Sequence, residues 1–182
     1  MKGSTLNLTL RLDANGAFQS EDAMQKFRKL SEYNIHSIEQ PIAPGQWKEM
    51  VTLCKTSPIP IALDEELIGI NSKQEKVDLI QGIKPQYIII KPSLVGGWQG
   101  ADQWVSIAEK HAVDWWATSA LESNIGLNAI AQWVSTKQIN RPQGLGTGGL
   151  FTNNIDTPLY LRGQNMGFDP NKLSDFTLKT CL

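Results

Sequence analysis

Apolar and polar positions along this chain repeat in blocks of about 25 residues, and each block predicts one strand followed by one helix. Short apolar runs end in a charged or polar residue, and amphipathic stretches with apolar residues every three or four positions come after them. This alternation predicts a parallel sheet with right-handed helical crossovers. The predicted strands are Leu6–Asp13, His36–Glu39, Pro60–Asp64, Tyr87–Lys91, Asp114–Thr118 and a weaker Gly144–Thr147.

Five amphipathic stretches between these runs predict helices. The first should have Ser20 as its N-cap, because acidic residues follow it in the first turn. On the strand at Asp114–Thr118, the adjacent Trp115 and Trp116 should face opposite sides of the sheet, one towards the helices and one towards the interior. The predicted helices are Ser20–Leu30, Gln46–Lys55, Ser72–Gln81, Gly97–His111 and Ile125–Val134.

The number of predicted strands is too small for a closed eight-stranded α/β barrel, which takes about 250 residues. The chain has 182 residues. The predicted fold class is therefore α/β, a (βα)8-type barrel that is incomplete, with about six βα units and the first strands missing. Residues 1–182 are predicted to form one partial barrel domain. An open α/β sheet is the alternative, but the sequence contains no P-loop fingerprint.

Four charged residues stand where successive predicted strands end, which is where α/β barrels carry their chemistry. They are Asp13, Glu39, Asp64 and Lys91, and they are 26, 25 and 27 residues apart. Three converging carboxylates repel one another unless a divalent cation neutralises them, and hard oxygen ligands favour Mg²⁺ over zinc. The spacing predicts an enzyme site with one metal ion. Lys91 should lie beside this ion, partly desolvated, and should therefore have a lowered pKa.

Residues next to these four extend the predicted site. Arg11 lies two positions before Asp13 on the same strand and should point into the same interior, and Asn15 in the next loop is placed to contact a ligand. Glu65 is expected to support the metal ligands, whereas Glu66 is expected to be solvated. The glycine-rich Gly144–Gly149 could offer backbone N–H donors to an anionic group.

Composition limits the classes of partner. Net charge is −1, with 41% hydrophobic and 19% charged residues, so nothing favours nucleic acid or an anionic membrane. No apolar run approaches the roughly 20 residues of a membrane helix. Cys54 and Cys181 show no metal-binding or redox spacing, which predicts free thiols in a reducing cytoplasm.

Six short motifs, in order, carry a resemblance to a known family. LRLDAN, IEQP, ALDEEL, KPSLVGG, SALESNIGL and GLGTGGLF resemble the barrel strands of the enolase superfamily, muconate-lactonising subgroup, and within it those of the o-succinylbenzoate synthase family. The resemblance extends from about Leu8 to Pro170. It implies a TIM-barrel lyase that dehydrates a small cyclohexadiene carboxylate to o-succinylbenzoate in menaquinone biosynthesis.

The same resemblance implies a role for each candidate residue. Asp13, Glu39 and Asp64 would ligate Mg²⁺, with Mn²⁺ as an alternative, and Lys91 would stabilise an enediolate by its charge. Arg11, Ser119 and the region of Gly148 would contact the substrate.

The family also has two features that this sequence lacks, an N-terminal capping domain and a Lys-x-Lys motif on an earlier strand. The isolated chain is therefore expected to be inactive. Its open barrel edge is expected either to self-associate or to pair with the missing N-terminal part.

Three other functions remain open. The first is an N-acylamino acid racemase or dipeptide epimerase, with Lys91 as the second base, although GLGTGG lacks the acidic loop expected of an epimerase. The second is a non-catalytic barrel remnant. The third, a Schiff-base aldolase using Lys91, is disfavoured because three carboxylates around an iminium are unnecessary.

Overall fold

Five short strands form one parallel sheet, and each strand pairs with its neighbour in sequence, in the order β1-β2-β3-β4-β5. The computed structural model describes residues 9–172. The sheet is a curled half-barrel, which confirms the predicted incomplete α/β barrel. The strands are β1 (Leu10–Asp13), β2 (Ile35–Glu39), β3 (Ile61–Leu63), β4 (Tyr87–Ile90) and β5 (Asp114–Ala117).

Each strand is followed by a helix, close to the predicted bounds. The helix α1 begins at Ser20 as expected, but Gln19 occupies the N-cap position without a side-chain cap, so the predicted Ser20 cap is wrong. At α3, Ser72 and Glu75 form both halves of a capping box, which satisfies two backbone N–H groups. The helices are α1 (Ser20–Leu30), α2 (Trp47–Thr56), α3 (Lys73–Ile83), α4 (Gly97–Lys110) and α5 (Asn124–Ser135).

A tight connection joins the end of β4 to α4. Gly96 has a φ of 95°, in the left-handed region that favours glycine. One turn later, Gly100 packs so closely against the carbonyl of Val95 that a Cβ at this position would lie 1.9 Å from the oxygen. This contact fixes the short segment that begins with Lys91.

Both faces of the central strands are buried, as expected for a parallel sheet. On the interior face, Ala62, Ile89 and Trp116 form a cluster with Tyr87 packed against it. On the opposite face, the indole Nε1 of Trp115 donates to Glu109 of α4 at 3.5 Å. The predicted opposite orientation of Trp115 and Trp116 is therefore confirmed.

The chain divides into two compact units between Ala117 and Thr118. The second unit contains α5 and an antiparallel hairpin of β6 (Leu159–Arg162) and β7 (Asn165–Phe168), which the sequence pattern did not predict. The predicted strand Gly144–Thr147 is wrong, because Gly144 makes a single bridge to Thr118 and Gly146–Leu150 is a 3₁₀ helix. The assignment of residues 1–182 to one domain stays a prediction.

The structure tests the expectations about membranes and cysteines within residues 9–172. Within residues 9–172, no helix combines the length and the apolar character needed to cross a bilayer. Cys54 is a free, buried thiol, and burial together with the charge of Glu66 raises its pKa to about 12. Cys181 lies outside the described residues.

Candidate active site

The four charged residues predicted from the spacing lie at the carboxyl ends of four adjacent strands. Asp13 is the last residue of β1 and pairs with Glu39, the last residue of β2. Asp64 and Lys91 directly follow β3 and β4. Because the strands are parallel, all four residues belong to the same edge of the sheet, as the sequence predicts.

Lys91 and Asp64 form an ion pair at this edge. The ammonium Nζ of Lys91 donates to Oδ2 of Asp64, whose side chain is only 2% exposed. Burial lowers the pKa of Lys91, but the hydrogen bond and charge of Asp64, together with Glu39 and Glu65, outweigh burial and raise it above its ordinary value. Without a metal ion Lys91 is therefore held in its protonated form, and the lowered pKa expected beside Mg²⁺ stays a prediction.

The carboxyl of Glu39 shows how closely the acids interact. Its pKa is raised to about 8, first by burial, then by a hydrogen bond with Asp64 and by the negative charges of Asp13 and Asp64. The positive charge of Lys91 opposes this shift without cancelling it. An ionised Glu39 is consequently unfavourable here unless more positive charge is supplied.

The chemistry of these donors fits a hard divalent cation, although the side chains are not arranged as a ready-made cage. Among residues 9–172, no group of three or more His, Cys, Asp or Glu side chains is positioned to hold one metal ion. Carboxylate oxygens are the ligands that Mg²⁺ prefers, and the negative charges of Asp13 and Asp64 act on the Glu39 carboxyl, so a cation here would relieve their repulsion. Binding would require Asp64 to exchange the Lys91 ammonium for the ion, and the ligand assignment stays a prediction.

Asn15 links Asp13, at the end of β1, to Glu65, which follows Asp64 after β3. The backbone N–H of Asn15 donates to Oδ1 of Asp13 at 2.8 Å, and its side-chain amide donates to Oε1 of Glu65 at 2.9 Å. The other oxygen of Glu65 is buried and has no hydrogen-bond partner among the described residues. Burial and the charge of Asp64 raise the pKa of Glu65. Asn15 therefore orders the acids, and its contact with substrate stays a prediction.

Arg11 packs in the interior layer that precedes the carboxylates along β1. Its guanidinium carbon lies 4.0 Å from the centroid of the Trp116 ring, a cation–π arrangement. Trp116 also packs against Tyr87, with ring centroids 5.4 Å apart, and Tyr87 stacks on His36 at 4.9 Å. This aromatic layer fixes the guanidinium, whose predicted contact with substrate remains to be tested.

Sequence reasoning missed a buried pair behind the site, Gln40 and Glu66. Glu66 was expected to be solvated, but it is 5% exposed and accepts hydrogen bonds from Gln40 Nε2 at 3.1 Å and from Gly45 N at 2.8 Å. Those donors are 26 and 21 residues away in sequence, so no pattern near Glu66 predicts that its side chain is buried. The IEQP motif contains Gln40 but gives no indication of its contacts.

Two of the predicted substrate contacts, Ser119 and Gly148, belong to the second unit. Ser119 is buried, and its hydroxyl donates to Glu122 Oε2 at 2.7 Å and accepts from the backbone N–H of Leu121 at 2.8 Å. A Cβ at Gly148 would lie 2.8 Å from Cδ2 of Leu127. These contacts order the two loops, and the roles of both residues towards substrate stay predictions.

Comparison with known proteins gives consistent matches. The profile of the family described as enolase C-terminal domain-like matches residues 3–149. The o-succinylbenzoate synthase of Desulfotalea psychrophila is 51% identical over 164 residues, which are 90% of this chain and 44% of the relative. A crystal structure of MenC from the same organism superposes with a TM-score of 0.86 at 51% identity and covers 90% of this chain and 46% of that chain. The L-Ala-D/L-Glu epimerase of Bacillus subtilis is 26% identical over 131 residues, 71% of this chain and 35% of the relative. The chain thus spans half or less of the length of the relatives it matches.

Proposed function

Because this chain belongs to the enolase C-terminal domain-like family, we propose that it provides the metal-binding strands and Lys91 of an o-succinylbenzoate synthase. The observation that carries the proposal is 51% identity to such an enzyme over 90% of the chain. The order of the charged strand ends supports it independently. The reaction would remove water from 2-succinyl-6-hydroxy-cyclohexadiene carboxylate.

In this proposal, Asp13, Glu39 and Asp64 hold one Mg²⁺, or Mn²⁺ as an alternative. A bound ion would supply positive charge to the substrate carboxylate and to the negative charge that develops when the adjacent proton is removed. Asp64 is the ligand least open to solvent, so its carboxylate has little freedom to turn away from the ion. Glu39 would contribute as a carboxylate once a cation offsets the burial and the neighbouring acids that now raise its pKa.

Lys91 would act through its charge. With Asp64 as its partner its pKa is raised despite burial, and a metal ion that takes over Asp64 would remove that contribution, so the electrostatic role rests on the family resemblance. In that role a protonated lysine stabilises negative charge on a nearby oxygen or carbon but cannot accept a proton. Proton transfer would then fall to a group outside the described residues.

Four further residues are proposed as substrate contacts. Arg11, held against Trp116, offers a fixed guanidinium to an anionic group, and Asn15 lies next to Asp13. Ser119 and Gly148 are proposed on the resemblance of their motifs alone.

The experiment is a complementation assay. This chain is mixed, in Mg²⁺ buffer, with the portion of the Desulfotalea psychrophila relative that it does not cover, and formation of the aromatic product is followed by absorbance. We expect turnover from the mixture and a much lower rate from either part alone, since general acid/base transfer is worth a factor of roughly 10² to 10⁴. The Lys91→Ala variant should abolish turnover, whereas Lys110→Ala, an exposed lysine on α4, should not.

An epimerase is the second candidate, because one relative carries that activity. The same mixtures are therefore offered an Ala-Glu dipeptide, and exchange of its α-hydrogen with deuterated water is measured. Exchange without dehydration would replace the synthase proposal by an epimerase. Full dehydration activity from this chain alone would instead make Lys91 the working base. Inactivity of every mixture towards both substrates would favour a non-catalytic remnant.

A further inference from the structure

Two buried polar side chains lie directly behind the proposed metal ligands. Gln40 follows Glu39 in sequence, and Glu66 lies two positions after Asp64. Gln40 is 0% exposed and Glu66 is 5% exposed, so neither side chain can contact substrate from bulk solvent. Burial of an amide or a carboxylate destabilises the folded protein unless its polar atoms form hydrogen bonds. The hydrogen bonds of Gln40 and Glu66 therefore indicate the role of each side chain.

The side chain of Gln40 uses all four of its hydrogen-bonding positions. Its Oε1 accepts from the backbone N–H groups of Asp64 at 3.2 Å and Glu66 at 3.3 Å. Its Nε2 donates to the carbonyl of Ile42 at 3.0 Å and to Glu66 Oε2 at 3.1 Å. One side chain at the end of β2 therefore holds the backbone of the neighbouring residue Asp64, just past the end of β3.

Glu66 anchors this arrangement from the other side. Its second oxygen, Oε1, accepts from the backbone N–H of Gly45 at 2.8 Å, in the segment that follows Gln40. The carboxylate therefore connects the chain after β3 to the chain after β2 without facing the substrate.

The backbone of Gln40 has a conformation that needs such support. Its φ is 33°, a left-handed value that a residue with a side chain rarely adopts. Backbone hydrogen bonds hold it there, from Gln40 N to Ala62 O at 2.8 Å and from Gly16 N to Gln40 O at 2.6 Å. Strained backbone that the surroundings hold in several ways is found where a neighbouring group must be aimed, and the neighbouring group here is Glu39.

We propose that Gln40, anchored by Glu66, is a positioning residue that sets the spacing between the Glu39 and Asp64 carboxylates. The proposal rests on the proposed function in one respect, namely that these two carboxylates bind a metal ion. It predicts that loss of the Gln40 amide disturbs the geometry of Asp64 more than it disturbs the rest of the sheet.

The test compares two glutamines that each connect neighbouring segments of the sheet. Gln40→Met removes the amide and approximately keeps its volume. The matched control is Gln86→Met, because Gln86 ties the start of β3 in a similar way, with Oε1 accepting from Ile61 N at 2.9 Å and Nε2 donating to Cys54 O at 3.1 Å. Gln86 acts at the opposite end of β3 from Asp64.

Two quantities are measured on the whole chain under conditions where each variant is folded. The first is Mn²⁺ affinity, from the electron paramagnetic resonance signal of free Mn²⁺. The second is the hydrogen-exchange rate of the Asp64 and Glu66 amides. In Gln40→Met we expect Mn²⁺ affinity to fall by about 10-fold to 100-fold, as for other groups that orient metal ligands, and exchange of both amides to accelerate at least about 10-fold. Gln86→Met should leave both quantities near wild type.

Equal effects of the two variants, or wild-type affinity and exchange in Gln40→Met, would overturn the proposal. If Gln40→Met does not fold, Glu66→Gln provides the same readouts, with a smaller loss expected because an amide still accepts from Gly45. If the wild-type chain itself does not bind Mn²⁺, the proposed metal site fails. The exchange rates then decide separately whether Gln40 holds Asp64 in place.

Discussion

Ionisation of Glu39 should make the metal-free protein less stable as pH rises. The folded state binds the Glu39 proton more tightly than the unfolded chain does, because the pKa is about 8 in the fold and 4.5 ordinarily. The protonated Glu39 carboxyl therefore contributes fully to the free energy of unfolding below about pH 4.5, and this contribution is lost as pH rises through about 8. A shift of this size corresponds to at most about 5 kcal/mol. Because the side chain is partly exposed and solvent screens the interaction, we expect roughly 2 kcal/mol.

The assay is urea unfolding at 25 °C in a chelating buffer, at several values between about pH 5 and about pH 8.5. The Glu39→Gln variant has no proton to lose, so the free energy of unfolding of wild type relative to this variant should fall by roughly 2 kcal/mol across the range. The control Glu32→Gln removes an exposed glutamate after α1 and should keep the wild-type pH dependence. Parallel curves for wild type and Glu39→Gln would refute the reasoning that the acids converge on Glu39.

Two further predictions concern the metal and the β4–α4 connection. Saturating Mn²⁺ should raise the melting temperature of wild type, by an amount that corresponds to about 2.7 kcal/mol at 100 times the dissociation constant, and Asp64→Asn should lose most of this rise. The exposed control Asp156→Asn should keep the full rise in melting temperature. If Asp64→Asn also keeps the full rise, Asp64 is not a ligand. Gly100→Ala should destabilise the fold by more than about 2 kcal/mol in urea unfolding, because the new Cβ meets the Val95 carbonyl, whereas Gly82→Ala in α3 meets only the Trp47 ring at 3.9 Å and should stabilise by about 0.5–1 kcal/mol. A stabilising Gly100→Ala would show that the connection relaxes freely.

The sequence predicted the bounds of an element correctly where the apolar pattern within that element decides which of its residues are buried. The bounds of α1 and the strand ends at Asp13 and Glu39 agree with the periodic pattern because a helix or strand in a parallel sheet must bury one or both of its own faces. The strand predicted at Gly144 failed because its glycines carry almost no side-chain pattern. The hairpin of β6 and β7 was missed because three of the five apolar side chains in its strands are exposed.

The candidate site was predictable in its members but not in its electrostatics. The spacing placed Asp64 and Lys91 on adjacent strand ends, but it could not indicate that their ion pair would raise the pKa of Lys91. In the same way, nothing near Glu66 in sequence indicates burial, since its two hydrogen-bond donors come from the chain after β2. Such effects depend on distances between elements, which a single sequence does not contain.

The pairing of each strand with its predecessor has a consequence for how the site comes into being. A sheet in which every new strand adds to the one before it can grow in the order of synthesis, without waiting for a distant segment. Growth in this order brings Asp13, Glu39 and Asp64 together before the lysine that follows β4 has joined the edge. A sheet that grows in this order passes through a stage in which three acids are adjacent and the lysine's compensating charge has not yet arrived. We expect a proton or a divalent cation from solution to stabilise that stage, so that the ion acts as an aid to assembly before any substrate is bound.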